Sequence, residues 1–190
     1  MTRGFTLIEL VVTVALISIV MAGIASISMA VLRNQTRLLV ANSIDNATTA
    51  ARHSLTVALQ DATYVAAPAP GGEAAVLTAW SNLDDDGVTR IVPGSPSRFT
   101  HHCLDAGASS LHVYSGSEPM PAIVCGSEYQ GVFHAVLAGG AGYRLAARFS
   151  RPAASANLVE ADVSLALVRT DGSRRDTTVR LKVITRHAKD

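Results

Sequence analysis

Hydrophobic and polar positions fall into three regimes along the chain. Residues 10–32 contain no charged side chain, and about 20 apolar residues of helix suffice to cross a hydrocarbon core roughly 30 Å thick. Residues 24–67 contain neither Gly nor Pro, so a helix starting near Phe5 is predicted to run on past the apolar segment to about Thr63. In its second half Val40, Ile44, Ala47, Ala51, Leu55, Ala58, Leu59 and Ala62 recur at steps of three and four, while Arg37, Asp45, Arg52 and Gln60 fall off that stripe. A helix divided in this way lies against a surface on one side and water on the other. The stripe is rich in alanine and keeps no sustained heptad, which favours packing on the chain's own sheet over a coiled coil.

Ala67-Pro68-Ala69-Pro70-Gly71-Gly72 breaks the helical pattern. Beyond it, short strand-like runs at 75–80, 98–104, 111–114, 122–125, 143–149, 159–169 and 177–185 alternate with turn residues. The clearest hairpin is the last. Val163, Leu165 and Leu167 alternate before Thr170-Asp171-Gly172-Ser173, and Val179, Leu181 and Val183 alternate after it. The expected fold is α+β: a long N-terminal helix, with a transmembrane half and an amphipathic half, packed on a C-terminal antiparallel β-rich head.

Net charge is +1, without the basic surplus that a dedicated nucleic-acid binder uses against phosphates. Its distribution is uneven: residues 1–143 hold six Lys/Arg against ten Asp/Glu, and residues 144–190 hold ten against five. The locally basic C-terminus suits a solvated sheet face, a subunit contact, an anionic membrane surface or DNA. Cys103 and Cys125 lie in the part expected to be exported. An oxidising compartment favours pairing them, with a stabilisation of about 3 kcal/mol on the chain-entropy model. The alternative, a metal site or catalytic thiol, has only His101 and His102 nearby, and adjacent strand residues point to opposite faces.

The chain opens Met-Thr-Arg-Gly, followed by Phe5-Thr6-Leu7-Ile8-Glu9-Leu10 and the apolar run. Arg3 precedes the run and Arg33 closes it, so the short N-terminal side is expected on the cytoplasmic face. Glu9 is out of place here, because a carboxylate in an apolar span costs about 2.5–3.5 kcal/mol and usually has a partner. Gly4 followed by this hexapeptide and a long apolar helix resembles the prepilin signature of type IV pilins and type II secretion pseudopilins. The resemblance implies that a prepilin peptidase cuts between Gly4 and Phe5 and methylates the new amino group of Phe5. It also implies that Glu9 pairs with the terminal amine of a neighbouring subunit during assembly in lipid. The segment lacks the proline that many major pilins carry and has only Gly23. An ordinary secretory signal cleaved after Ser28-Met29-Ala30 is one rival, but the helical pattern continues through that site without a break; a plain single-span anchor is the other.

The expected parts are a leader (1–4), a transmembrane and assembly helix (5–32), an amphipathic half (33–67) and a globular head (68–190). The resemblance implies a single-pass inner-membrane protein with its head outside, which then joins a filament. Its implied partners are the prepilin peptidase, other pilin or pseudopilin subunits and an inner-membrane assembly platform. The order of long helix, connection and sheet looks most like minor subunits, including J-type pseudopilins and W-type minor pilins. The alternatives are a competence-type pilin binding DNA through Arg174, Arg175, Arg180 and Lys182, or a membrane-anchored exported binding domain.

Other motifs fall short of chemistry. Asn82-Leu83-Asp84-Asp85-Asp86-Gly87 matches the first half of a calcium loop, but Pro93 stands where the bidentate Glu belongs, and a turn uses the same Asp-Gly pair. Gly139-Gly140-Ala141-Gly142 lacks the lysine of a phosphate cradle. The six histidines show no ligand spacing and no hydrolase or zincin motif occurs. No catalysis, cofactor or metal is expected.

Overall fold

The computed structural model describes residues 6–139, 143–154, 158–168 and 174–184. Its first element is one helix, α1 (Leu7–Gln60). The chain divides into two compact units, Met1–Ser43 and Ile44–Asp190.

In the first unit the helix is uncovered. Side chains such as Leu7 (84% exposed) and Ile19 (70% exposed) are left open among the described residues. In the second unit the amphipathic stripe does what its spacing predicts. Ile44, Ala51, Leu55 and Leu59 are buried, while Asp45, Arg52 and Gln60 are exposed.

Among the described residues nine strands follow: β1 (Tyr64–Ala67), β2 (Glu73–Ala74), β3 (Val76–Ser81), β4 (Arg98–Asp105), β5 (Ser110–Ser117), β6 (Phe133–Gly139), β7 (Tyr143–Ser150), β8 (Leu158–Val168) and β9 (Arg174–Ile184). They form a five-stranded sheet in the order β1-β3-β4-β5-β6 and a four-stranded sheet in the order β2-β7-β8-β9. Every pairing is antiparallel. Ala51, Leu55 and Leu59 of the helix meet Leu77 and Leu111 of the first sheet and Phe149, Val159, Ala161 and Leu181 of the second in one apolar core. Burial of this kind of surface, at roughly 25 cal/mol per Å², is what holds the helix on the sheets.

Four differences from the sequence expectation are local. The helix ends at Gln60, and residues 64–67, assigned to it above, form β1. The reason is a non-local partner: the Thr63 N–H donates to the Trp80 carbonyl at 2.8 Å, and Tyr64 pairs with Trp80. With Val65 buried in the core, the sheet ladder outweighs helix propensity. Residues 122–125 are not a strand, since Pro119 and Pro121 interrupt the approach and the Val124 N–H donates instead to the Tyr129 hydroxyl at 2.6 Å. Strands β2 and β6 were not legible. The 170–173 turn of the last hairpin and the 140–142 glycine loop lie outside the described residues, although β8 and β9 pair as expected.

Candidate assembly site

The described helix begins where the sequence places the chemistry. Thr6 lies just before α1, and its carbonyl accepts the Glu9 and Leu10 N–H groups at 3.1 and 3.2 Å. The Glu9 carboxylate turns back on that residue: the Thr6 hydroxyl donates to Oε2 at 3.3 Å, and the Thr6 N–H lies 3.5 Å from it. This is half of a capping box, Thr-x-x-Glu, with the carboxylate beside the positive end of the helix dipole. Both contacts are long and Glu9 is exposed, so the carboxylate stays available to a stronger, charged donor. Gly4 and Phe5 lie outside the described residues.

Downstream, the helix is apolar all round. An 18-residue window has mean hydropathy 2.6 with none of it buried, and the helix is long and apolar enough to cross a membrane. Three of its hydroxyls are satisfied within the helix itself. Thr13 donates to the Glu9 carbonyl at 2.6 Å, Ser18 to Val14 at 2.8 Å and Ser26 to Gly23 at 2.8 Å. A segment surrounded by hydrocarbon needs this, because lipid offers no hydrogen-bond partner. An apolar helix left uncovered by the described residues finds cover in lipid or in other helices.

In the head, Cys103 and Cys125 are bridged, with Cα atoms 6.0 Å apart. Neither is therefore a thiolate, and the metal or thiol alternative for Cys103 falls away. The bridge ties the 118–132 segment over the outer face of the first sheet, where Phe99, Cys103 and Tyr114 form a second core with Ile123 and Tyr129. The Gly126 N–H donates to the Tyr114 hydroxyl at 2.8 Å. As adjacent strand residues must, His101 and His102 part company. His101 meets Thr78 at 2.8 Å on the outer side, while fully buried His102 meets Ser54 of the helix at 3.1 Å. Burial, and secondarily the neighbouring His101, pushes the His102 imidazole down to about 3.

Asp86 occupies itself within its own turn. Its Oδ1 accepts the Val88 and Thr89 N–H groups at 2.9 and 2.8 Å, and the Thr89 hydroxyl bond is the main reason its acidity rises. No group of three or more potential metal ligands occurs among the described residues. Two cations of the C-terminal strand have carboxylate partners: Arg180 lies 3.4 Å from Asp162 and Lys182 lies 2.6 Å from Glu160, both partners being on β8; the side chains of Arg174 and Arg175 lie outside the described residues.

Residues 1–25 match the family described as the prokaryotic N-terminal methylation motif. No curated protein and no solved structure matches the chain. The chain thus carries a type IV pilin-like prepilin signature on an α+β, pilin-like fold: one long apolar N-terminal helix and an antiparallel β head. That signature marks a pilin-type precursor, processed by prepilin peptidase, and implies a structural subunit that assembles with other pilins.

Proposed function

We propose that the chain is a minor pilin or pseudopilin, cut between Gly4 and Phe5, methylated on Phe5 and assembled laterally through its apolar helix. The observation that carries this reading is the uncovered helix, with Glu9 in its first turn, five residues beyond Gly4. Cleavage at that junction would create an amine close to the carboxylate of an adjacent copy. In lipid, each charge then relieves the other's desolvation, and helices align by satisfying both. Arg3 ahead of the apolar run supports a cytoplasmic N-terminus with the head on the far side of the inner membrane. The assembly platform of that membrane would receive the processed subunit, and the head surfaces would decide its neighbours.

Terminal sequencing and mass analysis of the mature protein test the proposal. The expected N-terminus is N-methylated Phe5. A start near Val31, or an intact Met1, overturns it. The DNA-binding alternative gains little from the C-terminal strand, where Arg180 and Lys182 already face carboxylates.

A further inference from the structure

Three aromatic rings gather on the outer face of the first sheet, from residues the sequence shows only as scattered. His112 of β5 and His134 of β6 approach with Nδ1 and Nε2 2.8 Å apart. Their rings are coplanar to within 12° with centroids 5.1 Å apart. That separation fits two imidazoles meeting edge to edge through one N–H···N bond, not face to face. Tyr114 supplies the face contact, its ring 4.5 Å from that of His134 and within 4° of parallel. The remaining nitrogen of His112 meets the buried Ser110 hydroxyl at 2.7 Å.

Such a bond requires one protonated and one bare nitrogen. A neutral pair meets the requirement. A pair with one added proton meets it too, because the extra charge can sit on the far nitrogen of the donor ring, and the Tyr114 face accommodates one cation. A pair with two added protons fails, since two N–H groups then oppose each other and two like charges lie side by side. His112 is almost fully buried, and that burial, followed by the His134 charge, holds its imidazole below the usual range. Among the described residues, Asp105 and His101 of β4, Tyr114 of β5 and Tyr129 of the 118–132 segment are titratable groups that border this cluster. Of these, only the Asp105 carboxylate favours charge on His112.

Besides this bond the strand has its backbone ladder to β5 and a small core contact. β6 is the edge of its sheet, its ladder is interrupted between Leu111 and His112, Ala138 is its one buried side chain, and Leu137 packs against the same core. Phe133 and Val136 are exposed. Edge strands with few buried contacts open locally before the rest of a domain.

We infer that His112 and His134 form an acid-sensitive latch: the shared N–H···N bond fastens edge strand β6 to β5, and uptake of the second proton releases it. Release uncovers the backbone groups of β5, a ready edge for another strand. The inference is independent of how the N-terminus is processed.

Hydrogen exchange of the full chain in non-ionic detergent tests it, read on peptides covering β6 of the native protein and of His134→Gln at about pH 7 and about pH 4.5. After correction for intrinsic rates, the rise in β6 opening between the two pH values is expected to be about tenfold larger in the native protein than in the variant, the factor that one net hydrogen bond is worth. Acid destabilisation arising elsewhere in the head is common to both proteins and cancels in that ratio. An equal rise in the two proteins overturns the latch. If the variant does not fold, imidazole nitrogen spectra of the native chain decide. Two well-separated coupled steps for His112 and His134 support the inference, and independent single-step titrations of the two rings refute it.

Discussion

His102 makes the stability of the head a function of pH in a way that can be calculated. Its side chain is fully buried between β4 and the helix, with Ser54 as its one hydrogen-bond partner. Folding takes its imidazole from the ordinary 6.5 to about 3. Above pH 6.5 both folded and unfolded chains hold it neutral and the difference costs nothing. Below that value the unfolded chain takes up a proton that the folded chain refuses, so stability falls as pH falls until the folded value near 3 is reached. The slope is about 1.4 kcal/mol per pH unit for one proton, giving a loss of about 2 kcal/mol by pH 5 and about 3 kcal/mol by pH 4. Against a typical domain stability of about 5–15 kcal/mol this is a large fraction. The assay is urea unfolding of the detergent-solubilised chain at several pH values, followed by fluorescence of Trp80, the sole tryptophan, whose ring packs on Phe99 of the head 5.5 Å away. His102→Gln keeps a group that can bond Ser54 but does not titrate. The difference in stability between native and variant proteins should shrink with acid by the amounts above, whatever His101 and His112 contribute to both. Parallel pH profiles would refute the reasoning.

Other perturbations follow from the same contacts. Glu9→Leu should leave cleavage after Gly4 intact while lowering recovery in sheared filaments; normal incorporation removes the charge-pairing role. Replacing Cys103 with Ser should destabilise the head by about 3 kcal/mol and expose the 118–132 segment to protease, and no mass shift on reducing the native chain would argue that the bridge is absent. Gly87 sits at a positive φ of 67°, and an added Cβ would lie 2.8 Å from the Tyr64 ring. Gly87→Ala should therefore cost roughly 1–3 kcal/mol in thermal unfolding. Changing Arg180 and Lys182 to Gln should leave salt-dependent DNA binding unchanged, because both cations already face carboxylates on β8.

What the linear chain determined by itself was the helix and its division of labour. An unbroken apolar run and a stripe at steps of three and four are properties of neighbours in sequence. Ile44, Ala51, Leu55 and Leu59 therefore turned inward without reference to anything distant. The methylation motif was legible for the same reason, since it occupies one contiguous stretch, residues 1–25, which holds Gly4, Phe5 and Glu9. Tertiary structure decided the rest of the head. Strands β1 and β2 are short, and β6 keeps only one buried side chain; each exists because a distant backbone offers a ladder. The 122–125 run had apolar composition but no such ladder, and went to a tethered loop. His112 and His134 are 22 residues apart, and only the pairing of β5 with β6 makes them a single chemical unit. Local periodicity carries information over one or two turns of chain, whereas a cross-strand contact depends on which partner closes the sheet, a choice made by packing of the whole domain.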